Sequence, residues 1–546
     1  MANKFIKLLD QPMWRPVATQ PNITLGQNNG PVGSGVYSDL RSRDYGDPNL
    51  WCTAFTTANS LVYNKVTNAW TTYTFTTPFG GTASGMFAQF VPSQGPSGTL
   101  AAGSTSTIVN ISTAFPAAVI ANALSNRGDG LGYIIRIIGN ASGSSGKICE
   151  RRIIANTSGT TPSITLDAAL DFTPATGDRY ELLSGSWYIM TTGASKEFRR
   201  YDVATDFMSA ALSLTNLPGT IGAAYNDLVT LDEAYVPYNH YPGEGMVRGA
   251  STYDTGTDYI KFCLTATATA AGTITGQVTG GDSGVLVNQF RNYQIRIVQD
   301  TAIPTAVGQR RRITSHTVGA SPIYTLASNW TVTPSATAMY VIEQDNDKLI
   351  YLTNSTVVYN YNITSGLWDT TTWAARGTAP TGGLGSVMAF GLAYSNVAAN
   401  TRSSCLFSYR GIGTGNNPID VLDISGAATG SWSSFTTITS VTQLLGPATG
   451  GGCVYDPITN EGKYVYFSGP YTNNGYLVPF FRLNLRTKTV NPYAPASIVA
   501  GQTADQANNK LGIGFSYISG SEVYSFLYFR APQNATGTFY QLPILI

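Results

Sequence analysis

Short runs of alternating apolar and polar residues, separated by clusters of Gly, Asn, Asp, Ser and Pro, mark this chain as a succession of strands and turns. One turn pattern recurs. "YNKVTNAW" (Tyr63–Trp70), "YDVATDFM" (Tyr201–Met208), "YNITSGLW" (Tyr361–Trp368) and "LNLRTKTV" (Leu483–Val490) share it, and "LDISGAATGSW" (Leu422–Trp432) is a version three residues longer. In each, a large apolar residue ends the outgoing strand and Asn or Asp follows. Two free positions lead to Thr or Ser, and a large apolar residue opens the return strand. Short polar side chains at a tight turn bond their own backbone and tolerate left-handed conformations. A sixth outgoing strand, "TFYQLPILI" (Thr538–Ile546), has no turn after it.

Strand–turn–strand segments precede several of these turns: "VYDPITNEGKYVYF" (Val454–Phe467), "TYDTGTDYIKF" (Thr252–Phe262) and the longer "LAYSNVAANTRSSCLFSY" (Leu392–Tyr409). The resulting unit has four antiparallel strands in roughly 50 residues, the dimensions of one propeller blade. At these positions the chain resembles the kelch and galactose-oxidase-like pattern, although it mostly lacks that family's paired glycines. The resemblance implies an all-β fold with a kelch-like propeller of about six blades; a string of β-sandwich domains is the alternative.

The early turns are too far apart for plain blades, and the excess is itself duplicated. Residues 133–183 align without a gap onto 293–343, at an offset of 160 and with 15 identities. "YIIRI" matches "YQIRI", and "RRIIANTSGTTPSITL" (Arg151–Leu166) matches "RRITSHTVGASPIYTL" (Arg311–Leu326). Each copy reads as a small β-domain that precedes a blade-like strand, "SWYIMTTG" or "KLIYLTN". Both are therefore expected to enter a blade between its second and third strands, where a loop tip tolerates insertion. The expected boundaries are an extended arm at 1–46, a first blade at 47–79, inserted domains at 80–183 and 263–343, and further blades at 184–262 and 344–546. The segment "GKICERRIIANTSGTTPSITLDAALDFTPATGDRYEL" and its second copy resemble a β-rich module of tailed-bacteriophage virion proteins, found on neck, tail, hub and fibre components. That resemblance implies a component of a phage particle.

Composition narrows the chemistry. Charged residues make up 12% of the 546 and the net charge is +1, which gives no electrostatic case for nucleic acid or an anionic membrane. The five cysteines are scattered and odd in number, unlike a disulfide framework or a zinc site. The N-terminus lacks the apolar core of a secretory leader, and no apolar run approaches the roughly 20 residues of a membrane span. The chain is expected to be made in the host cytoplasm and to reside in the virion. Only His240 and His316 are present, neither at metal-ligand spacing. "GNASGSSGK" (Gly139–Lys147) fails as a phosphate loop, with Ala141 at the first glycine position and Ile148 at the Ser/Thr position.

The acids are scattered along the sequence, whereas glycan hydrolysis needs two carboxylates about 5–10 Å apart. The expectation is thus no enzyme and no cofactor. Arg151 with Arg152, and Arg311 with Arg312, recur at one place in the duplicated module. Neighbouring strand residues face opposite ways, so one of each pair packs on the module and its neighbour faces outward. Trp14, Tyr37 and Tyr45 on the Pro- and Gly-rich arm suit docking on a neighbour. These seven residues are the candidate contacts. The expected partners are other virion proteins (portal, adaptor or tail subunits) and further copies in a symmetric ring, with no membrane span and no sequence-specific nucleic acid. Two alternatives stand beside this structural role. One is a receptor- or glycan-binding tail-tip or fibre protein that recognises a host-surface glycan, for which stacking on Trp368 or Trp432 would speak. The other is a glycan-degrading propeller.

Overall fold

The structure, a computed structural model, describes most of residues 95–217 and 294–343 and, elsewhere, the strands named below with some adjoining turns. It is all-β: among the described residues the helices are two single 3-10 turns, at Ala123–Ser125 and Pro304–Ala306. None of the described helices is long and apolar enough to cross a membrane.

The chain begins with β1 (Arg15–Pro16), followed by a meander of β2 (Val36–Tyr37), β3 (Asn49–Cys52), β4 (Asn59–Asn64) and β5 (Ala69–Thr74). After β6 (Met86–Val91) comes the first module: β7 (Ser97–Thr99), β8 (Ile108–Asn110), β9 (Ile134–Ile138), β10 (Ile148–Asn156), β11 (Ser163–Leu166) and β12 (Arg179–Leu182). The next strands, β13 (Ser186–Thr191), β14 (Phe198–Asp202) and β15 (Phe207–Met208), return to β6 in the order β6-β13-β14-β15. The scheme then repeats. β16 (Asp227–Thr230) leads into the second module: β17 (Cys263–Ala270), β18 (Thr273–Gly276), β19 (Gln294–Gln299), β20 (Arg310–His316), β21 (Ile323–Leu326) and β22 (Met339–Glu343). The sheet is then completed by β23 (Lys348–Leu352), β24 (Val358–Asn362) and β25 (Leu367–Trp368).

Two uninterrupted meanders follow: β26 (Val387–Asn396), β27 (Thr401–Tyr409), β28 (Asn417–Asp423) and β29 (Trp432–Ile438), then β30 (Gly452–Asp456), β31 (Tyr464–Ser468), β32 (Phe480–Asn484) and β33 (Thr489–Pro492). The last strands, β34 (Leu511–Ile518), β35 (Glu522–Arg530) and β36 (Phe539–Pro543), take their fourth strand from the other end of the chain. Arg15 and Pro16 of β1 pair with Gln541 and Tyr540 of β36. The first strands of successive sheets lie against one another in series, β6 with β16, β16 with β26, β26 with β30 and β30 with β34, and β34 pairs in parallel with β2, which joins the first and last strands of the chain into one eight-stranded sheet. This radial order of meanders is propeller-like.

One expectation needs correcting. Each module enters between the first and second strands of its sheet, because β13 pairs with β6 and β23 with β16. "MFAQFV" at 86–91 alternates like a module strand and lies only a few residues before β7, so sequence continuity assigned it to the insertion. Its pairing partner, nearly a hundred residues away, decides otherwise.

The modules share one topology. The first runs β7-β12-β9-β10-β11-β8, with a bridge between Leu100 and Ile111 joining its two edges. The second is a closed barrel, β17-β18-β21-β20-β19-β22. Inward residues alternate along β11, where Ile164 and Leu166 are buried, and their counterparts in β21 are Tyr324 and Leu326. β9 and β19 break the alternation, since every residue in both is buried. Ile135 and Ile137, like Ile295 and Ile297, fill their own barrels. Of the intervening residues, Ile138 and Val298 share one apolar cluster across the two modules and Arg296 reaches Glu181 of the first.

Candidate functional site

The repeated turn has a common geometry. All five copies join the last two strands of their meanders, with Tyr63 opposite Trp70, Tyr201 opposite Met208, Tyr361 opposite Trp368, Leu422 opposite Trp432 and Leu483 opposite Val490. In the four copies of eight residues, the sixth has positive φ: Asn68 at 51°, Asp206 at 47°, Gly366 at 70° and Lys488 at 58°. That position suits Gly, Asn or Asp because a Cβ there crowds the backbone. The Asn after the aromatic or leucine closes the turn. Asn64, Asn362 and Asn484 accept backbone N–H bonds three residues on, from Thr67 (3.0 Å), Ser365 (2.8 Å) and Thr487 (3.1 Å). Tyr63 and Tyr201 donate their hydroxyls to Asn68 and Asp206.

These turns lock sheets together. Trp368 is buried, donates Nε1 to the Ser213 carbonyl at 3.1 Å, and packs with Tyr361, Phe198 and Tyr188. It joins β24–β25 to β13–β14 and presents no open stacking face. Burial pushes the Tyr188 hydroxyl up to about 12, while the charges of Arg200 and Arg310 pull against that rise.

The first arginine of each pair is tied to backbone carbonyls. Arg151 donates Nε to the Ala169 carbonyl at 2.8 Å and Nη1 to the Glu150 carbonyl at 2.7 Å. Arg311 repeats this at the offset of 160, bonding the Asn329 and Arg310 carbonyls at 2.8 and 2.6 Å and lying over the Trp330 ring. Each braces its strand to the loop that follows the next one. Arg152 and Arg312 are half-buried, and Arg152 donates to the Gly132 carbonyl. Tyr37 lies in β2, between Trp51 of β3 and Ile513 of β34. Trp14 and Tyr45 lie outside the described residues, as does "TYDTGTDYIKF".

The most built polar feature was not foreseen, and it lies between the modules. Across β10, β9 and β12 one row reads Glu150, Arg136, Glu181. The matching row across β20, β19 and β22 reads Arg310, Arg296, Val341. The rows meet. Arg296 grips Glu181 with Nη1 and Nη2 at 2.7 and 2.9 Å. Arg136 bonds Glu181 at 3.0 Å and Glu150 at 2.8 Å. All four side chains are buried. Arg179 adds a bond to the Val298 carbonyl at 2.8 Å, and Ile138, Ile148, Val298, Met339 and Val341 form an apolar cluster beside the charges. Removing charges from water is costly, so such a network is tolerable only with its partners in place. The signal in the sequence was the Arg at the centre of both "YIIRI" and "YQIRI", with Glu150 and Glu181 exchanged for Arg310 and Val341 one offset later.

Among the described residues, no group of three His, Cys, Asp or Glu side chains is placed to hold a metal ion. His316 is buried, with Nδ1 bonded to the Thr317 carbonyl at 2.8 Å, and burial lowers its pKa. Burial also pushes the Cys405 thiol up to about 12.

No family model matches the chain, and no curated protein does. Among solved structures, a phage phi92 endosialidase is similar over 98% of this chain and 69% of its own, at 8% identity and a TM-score of 0.33. The polysaccharide lyase Uly1 is similar over 99% and 98%, at 11% identity and a TM-score of 0.24. Both are named as enzymes, which runs against the expectation that this chain is not one. At such TM-scores the likeness argues for no particular activity. The physical fault in that expectation is visible in the first module: acids scattered in sequence can converge, as Glu150 and Glu181 do on Arg136.

Proposed function

We propose that the chain is a tail-associated subunit of a tailed-bacteriophage particle, packing with its neighbours in a ring at the neck, nozzle, hub or baseplate. In this reading the meanders are the blades of a six-bladed kelch-like propeller, and residues 1–46 carry the strand that closes it. The inserted domains, β7–β12 and β17–β22, form one docked pair that touches portal, adaptor or tail proteins. Arg152 and Arg312 on the modules, and Trp14, Tyr37 and Tyr45 on the arm, make contacts to neighbouring subunits, while Arg151 and Arg311 hold the module surface in shape.

The observation that carries the proposal is the duplicated module. Its sequence resembles virion modules, and its two copies dock through a buried network rather than hanging separately. A rigid pair suits an assembly contact because little ordering entropy remains to be lost on binding. Support for the closed ring comes from the serial contacts of first strands and from the β1–β36 pairing. Mass spectrometry of gradient-purified particles, followed by symmetry-averaged reconstruction, tests the proposal. The expected result is this chain in several symmetric copies around the tail axis. Its absence from particles, or its presence only as single copies on fibres, rejects the proposal.

A further inference from the structure

Arg482, in β32, was not singled out by any motif. It is half-buried, and its guanidinium is held between two rings, 4.5 Å from the Tyr464 centroid and 5.0 Å from that of Tyr493. Its Nε is buried without a hydrogen-bond partner, and no carboxylate of a described residue pairs with it. Arg136, Arg151, Arg296 and Arg311 of the modules are tied to carbonyls or carboxylates; Arg482 has a desolvated donor and a rigid position but no acceptor among the described residues. Buried donors ordinarily find partners, so an arginine fixed in this state is set up for an oxygen from outside.

The surroundings define the ligand. By register, Asn491 of β33 and Tyr466 of β31 lie directly opposite Arg482, and Tyr464 lies opposite Asn484. One sheet face therefore carries the cation, the Tyr464 ring and the exposed Asn491 amide. No second cation stands in the row, which fits a single carboxylate rather than a polyphosphate. A ring face and an amide suit the C–H faces and hydroxyls of a sugar. A protein interface needs an apolar centre, and none of the exposed large apolar residues described (Ile108, Ile120, Ile154, Phe207, Ile323, Leu367 and Val397) lies on this sheet. We infer that Tyr464, Arg482 and Asn491 form a subsite for the carboxylate of an acidic sugar, with the fork of Arg482 on the carboxylate. This inference is independent of where the chain sits in a particle.

The test is saturation-transfer NMR and titration of the full chain with uronate and sialyl oligosaccharides, each alongside its neutral methyl ester. At least one acidic member should bind, and its methyl ester should bind about 10- to 100-fold more weakly, as befits a lost charge-assisted pair. Arg482→Gln should lose affinity by the same factor. Asn491→Asp places a carboxylate opposite Arg482; it should melt no lower than the native chain and also lose the sugar, so it decides the matter even if Arg482→Gln fails to fold. Failure of every acidic sugar to bind overturns the inference, as does unchanged affinity in Asn491→Asp. If Arg482→Gln keeps its sugar affinity but no longer enters particles, the acceptor is a protein carboxylate and the inference is equally overturned.

Discussion

Replacing Glu181 by valine, the residue type the second module carries at the matching position (Val341), removes one carboxylate from a buried four-member network. The change deletes the two bonds from Arg296, at 2.7 and 2.9 Å, and the 3.0 Å bond from Arg136. Summed as independent charge-assisted bonds, these would contribute about 5–9 kcal/mol. Relaxation and water entry lower that figure, and breaking a buried pair by removing one partner typically costs about 3–5 kcal/mol. Arg136 keeps Glu150 while Arg296 loses two bonds, and Glu181→Val is expected near 3–4 kcal/mol within that range.

Arg296→Met should cost a similar amount. The double variant should recover most of the loss, because Ile138, Ile148, Val298, Met339 and Val341 already line the gap. Hydrogen exchange is the proper assay, since a chain with several sheets and two barrels need not unfold in one step. Amides of β9, β12 and β19 should exchange faster in either single variant and return towards native rates in the double. If Glu181→Val costs under about 1 kcal/mol, the value of an exposed ion pair, and leaves those amides unchanged, the modules are not docked through this network.

Three other outcomes follow from the geometry. Gly366→Ala forces a Cβ into φ 70° and should cost about 1–2 kcal/mol, read as faster exchange in β24 and β25 alone. His316 has a lowered folded-state pKa, so the unfolded chain takes up the proton first; stability present above about pH 6.5 is lost as pH falls below it. His316→Asn installs the residue of the first module, where Asn156 already bonds the Thr157 carbonyl, and should flatten the melting temperature between pH 7.5 and 5.5 relative to the native chain. Cys149 and Cys405 are buried, with the Cys405 thiol pushed up to about 12, so peptide mapping should find both unalkylated after iodoacetamide treatment at pH 8 and alkylated in denaturant.

Much of the fold was legible because its signals are local. An eight-residue turn with Asn or Asp at its second position and Gly, Asn, Asp or Lys at its sixth states its own left-handed residue. An ungapped duplication announces two like domains. What stayed hidden depends on pairing at a distance. Arg15–Pro16 is too short to show a period, yet it supplies a strand to the far end of the chain. "MFAQFV" shows a strand without naming its partner. The site was less legible still. Both paired-arginine segments were visible, but which arginine is tied to a carbonyl depends on the loop it meets. Arg136, Arg296 and Arg482 look alike in sequence; one centres a triad, one reaches across to the other module, and one lies unpaired by any described carboxylate between two rings.

The duplication also implies an order of dependence between the copies. In the first module Arg136 sits between Glu150 and Glu181, so the row satisfies its own cation. In the second, Arg296 and Arg310 are direct cross-strand neighbours, and like charges so placed are destabilising. The second module therefore relies on Glu181 of the first, while the first relies less on the second. This can be measured in the full chain. Val91 and Ser186 are cross-strand neighbours, so a hairpin turn can replace residues 92–185; Thr230 and Leu349 are paired in the same way, so another can replace 231–347. Either deletion exposes the apolar cluster on the surviving module, but only the first leaves Arg296 beside Arg310 with Glu181 gone. Core amides of β20 and β21 in the chain lacking 92–185 should therefore exchange faster than those of β10 and β11 in the chain lacking 231–347, by the equivalent of about 1 kcal/mol. Equal rates, or the reverse order, would mean that the charge rows do not set the dependence and that apolar burial alone holds the pair.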